Sequence, residues 1–313
     1  MQKMEKDRED IQILYGDALQ LLSTLAPGSV DLIVADPPYN LGKRFGGEQT
    51  MRGFEEYLDF SRQWLGEAVR LLKPRGTLYL FMGVRFISYL YAILERDLNL
   101  RFNSWIVWHY TQGMGKKNGF SPRHDDILMF TRTDRYKFNL DNVRVPQKYY
   151  RARNNMRGAN PGDVWTYSHV HYSHPNRSDH PTQKPEGLIE RMVLASSDEG
   201  DLVLDPFAGS GTTLRVCQQL RRRAIGIEVN PAYVTLAGER LSRPFTGFDS
   251  IDPRMERIPK DLRDAGIRQE YLRNHVQWFL KNHPDSLRRF QEEVKALYGE
   301  EFTDFEPAET SRS

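Results

Sequence analysis

The sequence contains, near its start, Val30-Asp31-Leu32-Ile33-Val34-Ala35-Asp36-Pro37-Pro38-Tyr39. Residues 30–35 form a short, apolar run rich in β-branched residues, which is typical of a buried parallel strand. Neither proline can donate a hydrogen bond to a strand ladder, and each fixes φ near about −65°. The strand must therefore end at Asp36, at the sheet edge where open α/β proteins bind their ligands.

Residues 36–39 offer the groups that would activate an exocyclic amino group on a planar base. Such a nitrogen is a poor nucleophile until hydrogen-bond acceptors draw its two hydrogens and move it toward tetrahedral geometry. The Asp36 carboxylate and the Pro37 carbonyl are suitable acceptors, Pro38 keeps the turn rigid, and Tyr39 can stack on a base taken out of a duplex. Taken alone, the quartet is also compatible with a simple turn or with a proline-tyrosine recognition ligand.

A second motif runs from Leu202 to Thr213 and reads Leu-Val-Leu-Asp-Pro-Phe-Ala-Gly-Ser-Gly-Thr-Thr. It predicts a strand, a glycine-rich turn that lets a ligand approach the backbone, and a helix that begins near Thr212. The motif lacks the Gly-Lys-Ser/Thr ending of a phosphate loop and the third glycine of a dinucleotide site. A further strand, 224–230, carries Glu228, which can accept hydrogen bonds from both ribose hydroxyls. The ligand is therefore predicted to be a nucleoside derivative without phosphate.

Together these motifs resemble the S-adenosylmethionine-dependent DNA amino-methyltransferases, which act on adenine N6 or cytosine N4. The catalytic quartet precedes the cofactor loop, with a long segment between them, as in the β class of that family. His180-Pro181-Thr182-Gln183-Lys184-Pro185 is similar to the segment that in this class precedes a helix over the methionine end of the cofactor. The resemblance covers roughly residues 11–245.

The resemblance implies S-adenosyl-L-methionine as the cofactor and a specific set of site residues. The catalytic residues would be Asp36, Pro37, Pro38 and Tyr39. Asp17 would lie near the adenine of the cofactor, although a plain helix cap explains this residue equally well. The predicted cofactor-binding residues are Asp17, Lys184, Asp205, Phe207, Gly209, Gly211, Thr212 and Glu228.

The alternation of helix and strand patterns predicts an α/β fold with a doubly wound, mostly parallel sheet. It would be a Rossmann-like class I methyltransferase with a circularly permuted motif order. The predicted divisions are a catalytic half at 1–114, a basic target-recognition insertion at 115–179, a cofactor-binding half at 180–248 and a helical C-terminal extension at 249–313. Two amphipathic helices near 262–281 and 286–298 would pack on the catalytic domain, form a homodimer contact or add a DNA-binding lobe.

The segment between Gly115 and Asn160 holds eleven basic residues against four acidic ones, with tyrosines and amides between them. Positive charge suits phosphates, and planar and amide groups suit base edges, so the segment predicts a double-stranded DNA contact. A glycine-rich loop after the quartet would add to it. A solvated loop region with ordinary salt bridges is the alternative. The predicted DNA-binding residues are Lys43, Arg44, Lys116, Lys117, Arg123, Arg144, Lys148, Arg151 and Arg153.

Composition excludes several other classes. The single cysteine, Cys217, excludes a disulfide framework and is expected in the core. The spacing of His169, His171, His174 and His180 fits no common zinc site, so no metal is predicted. The polar N-terminus and the lack of a long apolar run predict a cytoplasmic protein without a membrane span.

Adenine N6 is the favoured target because aspartate at the first position of the quartet is commoner among adenine enzymes of the family, and serine among cytosine-N4 enzymes. An RNA or protein amide methyltransferase and a non-catalytic DNA-binding module remain alternatives of other classes. A companion restriction endonuclease is a further expectation.

Overall fold

The computed structural model describes residues 10–40, 51–110, 115–145, 158–170 and 177–245, and the backbone of 44–45 and 48–49. The chain divides into two compact units, residues 1–139 with 162–252 and residues 140–161 with 253–313. In the second unit the described residues form a short 3₁₀ turn, Leu140–Asn142, and a bridge between Val145 and Ala159. The remaining description concerns the first unit.

The first unit is built on strands and helices that alternate along most of the chain. The described strands are β1 (Ile11–Tyr15), β2 (Val30–Ala35), β3 (Arg44–Phe45), β4 (Glu48–Gln49), β5 (Leu72–Met82), β6 (Arg101–His109), β7 (His124–Thr131), β8 (Val164–Thr166), β9 (Leu202–Asp205) and β10 (Arg223–Glu228). The described helices are α1 (Ala18–Thr24), α2 (Phe54–Leu71), α3 (Ile87–Ala92, continued by a π-helical turn at Ile93–Asp97), α4 (Glu186–Ser196), α5 (Thr212–Gln219) and α6 (Pro231–Ser242).

The main sheet has the strand order β1-β10-β9-β2-β5-β7-β6-β8, and β3 and β4 pair separately. The five strands from β1 to β5 in that order are parallel, and β7 is antiparallel to both of its neighbours. This arrangement confirms the predicted mostly parallel sheet. Strand β2 lies beside β9, with Leu32 opposite Val203, so the two halves of the chain meet in the middle of the sheet. The carboxyl ends of β2 and β9 are therefore neighbours.

Alternation along β2 explains why both faces of the sheet are covered, since successive side chains point to opposite faces. Ile33 and Ala35 belong to a core cluster with α1, α2 and α3. Leu32 and Val34 belong to a second cluster with α4 and α5, which includes Cys217. The cysteine is fully buried, as predicted.

In the sequence, a continuous strand pattern starts at Thr77, but strand β5 begins five residues earlier, at Leu72. Val30 pairs with Leu72 and Leu32 with Thr77, so residues 73–76 bulge out of the ladder. Gly76 permits the bulge because a Cβ there would lie 2.8 Å from Leu72 Cδ2 and 3.2 Å from the Asp31 carbonyl oxygen. Proline and glycine inside the segment hid the strand from a pattern-based prediction.

The predicted domain divisions stay predictions. Strand β7, which falls within the predicted 115–179 insertion, is an inner strand of the main sheet between β5 and β6. The predicted C-terminal helices lie outside the described residues. Among the helices in the described ranges, none combines the length and apolar character that a membrane span requires.

Candidate active site

The quartet that follows β2 lines a cavity of about 1300 Å³ at the carboxyl edge of the sheet. Its backbone is fixed from two sides. The buried Tyr57 hydroxyl donates to the Pro38 carbonyl at 2.8 Å. Asn40, at φ 53°, donates to the Arg52 carbonyl and accepts from the Arg52 amide at 2.9 and 2.8 Å. The turn that presents Asp36 is thus tied to α2 through Tyr57 and to Arg52, two residues before that helix.

The two oxygens of the Asp36 carboxylate have different surroundings. Oδ2 accepts a hydrogen bond from the Lys184 ammonium group. Oδ1 is buried and makes no hydrogen bond of good geometry among the described residues, although the Tyr39 hydroxyl interacts with the same carboxylate. One oxygen of this carboxylate is held, and the other remains an acceptor beside the cavity.

Aromatic rings surround the Lys184 ammonium group. The nitrogen lies 5.5 Å from the ring centre of Tyr39, 5.3 Å from that of Phe81 and 5.9 Å from that of Trp108. All three rings also line the cavity. Burial and the Asp36 carboxylate raise the pKa of Tyr39 well above its usual value, so its hydroxyl stays protonated at neutral pH. The three aromatic rings therefore form flat, uncharged walls of the cavity beside the acceptor Oδ1 of Asp36.

The glycine-rich turn after β9 adopts a backbone that requires glycine at two positions. Gly209 and Gly211 have φ of +50° and +74°, in the left-handed region. A Cβ at Gly209 would lie 2.9 Å from His180 Nε2, and one at Gly211 would lie 2.8 Å from Ala237 Cβ. Burial lowers the pKa of His180 to about 4, so this ring is neutral. The turn is packed from behind while Gly209 faces the cavity.

Two more carboxylates line the same cavity. Glu228, at the end of β10, accepts from the Gly209 and Asn230 amides at 2.8 Å each. Burial raises its pKa. Asp205 accepts from the Phe207 amide at 3.1 Å, and burial is the main cause that raises its pKa to about 7. These two carboxylates offer acceptors to a ligand that carries positive charge and hydroxyl donors. The acidic residues that line the cavity are five: Asp17, Asp36, Asp125, Asp205 and Glu228.

A buried ion cluster, formed by Glu186, Arg215 and Arg240, lies behind the glycine-rich turn. Glu186 Oε1 accepts from Arg215 at 3.0 Å and from Arg240 at 2.9 Å, and all three side chains are at most 4% exposed. Arg240 also donates to the Ser210 carbonyl at 2.7 Å and to Thr212 Oγ1 at 3.1 Å. The cluster joins α4, α5 and α6 to the turn. Sequence reasoning missed it, because a charged residue in a helix is ordinarily expected to face solvent.

The structure brings most of the predicted catalytic and cofactor residues together. Asp17 lines the cavity and also caps α1, accepting from the Gln20 amide at 3.1 Å. Gly211 supports the turn without lining the cavity. Sequence reasoning did not single out Phe81 and Trp108, which lie in strand patterns that indicated core residues only. The cavity-lining residues among those predicted are Asp17, Asp36, Pro37, Pro38, Tyr39, Lys184, Asp205, Phe207, Gly209, Thr212 and Glu228.

The predicted DNA-binding residues are more scattered. Lys116 and Lys117 are exposed and Arg123 is partly buried, all in the loop between β6 and β7. Arg144 belongs to the second unit, where it pairs with Asp141 at 2.6 Å. Lys43, Lys148, Arg151, Arg153 and the side chain of Arg44 lie outside the described residues.

The residues of the cavity fit S-adenosylmethionine. Glycine is required at the turn, the carboxylate at the end of β10 can accept hydrogen bonds from ribose hydroxyls, and acidic groups can face the cationic methionine end. The volume of about 1300 Å³ leaves room for a base beside the cofactor.

Comparison with known proteins agrees with this geometry. A family model described as DNA methylase matches residues 30–239. The type II methyltransferase M.HpaI of Haemophilus parainfluenzae is 57% identical over 295 residues, which cover 94% of each chain. The DNA adenine methyltransferase YhdJ of Escherichia coli K12 is 37% identical over 242 residues, covering 73% of this chain and 82% of that protein.

A solved structure of similar architecture is the complex of M1.HpyAVI with S-adenosylmethionine. It aligns with a TM-score of 0.56 at 26% identity, covering 74% of this chain and all of that one. The fold, the cavity and these relatives lead to one conclusion: the chain belongs to the DNA methylase family and is an S-adenosylmethionine-dependent DNA amino-methyltransferase of the β class.

Proposed function

We propose that this enzyme methylates adenine N6 in double-stranded DNA, with residues 36–39 as its catalytic group. The observation that carries the assignment is the Asp36 carboxylate, which keeps one buried oxygen, Oδ1, as an acceptor at the wall of the cavity. An amine hydrogen is a suitable donor for that oxygen. The Pro37 carbonyl would accept the second hydrogen, which makes the nitrogen lone pair available for attack.

The residues of the chain would act mainly by positioning and by replacing water with fixed acceptors. Tyr39 would stack on the flipped base, and the Tyr57 hydrogen bond to Pro38 would hold the turn in place. S-adenosylmethionine supplies the electrophilic methyl group when bound. After transfer the base nitrogen must lose a proton, and Asp36 is the group placed to receive or relay it.

We assign the cofactor to the half of the cavity formed by the glycine-rich turn. Glu228 would accept from the ribose hydroxyls, and Gly209 would allow the ligand to approach the backbone. Asp205 would face the cationic methionine end, because its carboxylate lines the cavity beside the turn. Phe207 and Thr212 complete this wall, and Asp17 would lie near the adenine.

Two features favour adenine over cytosine as the target. The quartet begins with aspartate, and the relative YhdJ is a DNA adenine methyltransferase by name. M.HpaI and M.BglII are named type II methyltransferases, so we also infer a companion restriction endonuclease that recognises the same DNA sequence.

We propose that the loop between β6 and β7, residues 115–123, contacts the duplex. β6 runs parallel to β5, since both are antiparallel to β7, so this loop lies at the same sheet edge as Asp36. Pro122 lines the cavity, whereas Lys116 and Lys117 are exposed and Phe120 is fully exposed. Two positive charges and a free aromatic ring at the mouth of the site suit phosphates and bases.

Asp36→Ala should lower the transfer rate by about a thousandfold or more, because the amine loses its main acceptor. Affinity for S-adenosylhomocysteine should change little. Mass spectrometry of nucleosides from a methylation-deficient host would show N6-methyladenine with the intact protein and none with the variant. Asp59→Ala, which removes an exposed carboxylate, is the control. Equal methylation by the Asp36 variant would contradict the assignment, and N4-methylcytosine would reverse the target base.

Gly209→Ala should weaken S-adenosylhomocysteine binding about tenfold or more, because φ of +50° strains any side chain and the new Cβ meets His180. Gly238→Ala is the matched control, since a Cβ there meets nothing within 4 Å. Calorimetric titration of both variants tests the placement of the cofactor. Unchanged affinity in Gly209→Ala would move the cofactor away from this turn.

The affinity for S-adenosylhomocysteine should fall as pH decreases from 8 to 6. The pKa of Asp205 is raised to about 7, so below that pH the carboxyl is protonated and loses its attraction for the ligand ammonium group. The fall approaches about tenfold per pH unit well below the pKa. Titrations at several pH values should show this slope in the wild type and a flatter one in Asp205→Asn. The same slope in both proteins would assign the titration to another group.

Replacing Lys116 and Lys117 by alanine should weaken duplex binding and reduce its salt dependence. The log–log slope should fall by about 0.9 for each phosphate that the protein no longer neutralises. Arg132 and Arg135, which are exposed beyond the opposite end of β7, provide a double-alanine control with the same charge change. Fluorescence anisotropy with labelled duplex at several salt concentrations measures both effects. Equal slopes for the two double variants would exclude the loop as a DNA contact.

A further inference from the structure

We propose that Lys184 is a positioning residue for Asp36 and not a ligand of the cofactor. Its ammonium group holds Oδ2 of the carboxylate and thereby leaves Oδ1 to accept from the target amine. The inference rests on the proposed function, in which Asp36 is the acceptor. It replaces the role in cofactor binding that the sequence assigns to Lys184.

The surroundings of Lys184 give its charge one acidic partner in the described part of the chain. The side chain is 10% exposed, and Asp36 is the carboxylate within ion-pair distance. The rings of Tyr39, Phe81 and Trp108 occupy other directions around the nitrogen and attract it through their faces. A buried ammonium group without its counter-ion is costly, so the pair with Asp36 holds both groups in place.

The backbone of Lys184 is fixed as firmly as its side chain. Its carbonyl accepts from Thr212 Oγ1 at 3.4 Å, and Pro185 follows it. Two residues along the chain, Glu186 enters the buried ion cluster and bonds Arg215 and Arg240. Arg240 in turn holds the glycine-rich turn through the Ser210 carbonyl. The buried ion cluster that holds the glycine-rich turn therefore also fixes the position of the Lys184 backbone.

The pair also decides which oxygen of the carboxylate faces the amine. Lys184 occupies Oδ2, and Oδ1 makes no hydrogen bond among the described residues. A carboxylate without that partner is free to turn about its Cβ–Cγ bond and exchange its two oxygens. The ammonium group on Oδ2 limits that rotation and leaves Oδ1 toward the amine.

The test compares Lys184→Met and Lys184→Arg with wild type in two separate measurements. Calorimetry measures S-adenosylhomocysteine affinity without turnover. Single-turnover methylation of a duplex at saturating cofactor measures the transfer step. Lys137→Met is the matched control, because Lys137 is also a partly buried lysine paired with acids, Asp198 and Asp201, and does not line the cavity.

We expect Lys184→Met to lower the single-turnover rate about a hundredfold, the usual effect of losing one fixed polar group at a reacting centre. Its S-adenosylhomocysteine affinity should stay within about threefold of wild type. Lys184→Arg should recover at least about tenfold of the rate, because it restores a cation beside Oδ2. Lys137→Met should leave the rate unchanged.

Two results would overturn the role of Lys184. Affinity weakened tenfold or more, with an unchanged rate at saturating cofactor, would make Lys184 a cofactor ligand. An unchanged rate in Lys184→Met would show that Asp36 needs no partner. If Lys184→Met does not fold, Lys184→Gln, which keeps a polar end group, is judged by the same two results. A wild-type protein that methylates no duplex would instead contradict the proposed function itself.

Discussion

The pairing of β2 with β9 is the contact on which the rest of the site depends. Leu32 lies opposite Val203 although about half of the chain separates them, and the two strands run in the same direction. Parallel neighbours end at the same sheet edge, so the pairing brings the Asp36 turn and the glycine-rich turn to one cavity. The Asp31 side chain in β2 stabilises this strand pairing. It accepts hydrogen bonds from the Leu202 amide at 3.0 Å and from the Lys73 ammonium group at 2.7 Å.

Sequence patterns predicted the parts of the site that depend on the conformational limits of single residues, prolines and glycines above all. Pro37 and Pro38 mark the end of β2, and Gly209 and Gly211 mark a turn that other residues cannot form without strain. Both signals lie within a few residues of the strand they terminate. The start of β5 escaped prediction because Pro74 and Gly76, ordinarily signs of a loop, lie inside a bulge that the ladder closes again at Thr77.

The contacts that escaped prediction join residues far apart in the chain. Lys184 and Asp36 are separated by 148 positions, and Glu186 and Arg240 by 54. A single sequence records the presence of such charges but not their partners. Helical Arg215 and Arg240 resemble surface residues until α4, α5 and α6 are packed together. Phe81 and Trp108 resemble ordinary core residues until the cavity beside them is known.

The buried charged residues fall into two groups, the ion cluster behind the glycine-rich turn and the residues that line the cavity. On the supporting side, two arginines share one glutamate and direct their remaining donors to backbone carbonyls, including Ser210 for Arg240 and the end of α6 for Arg215. On the open side, five carboxylates line the cavity, and Lys184 pairs with one of them, Asp36. Lys184 lies in the segment that the arginine cluster anchors through Glu186. One set of buried charges therefore supports both the glycine-rich turn and the carboxylate that we propose as the acceptor for the amine.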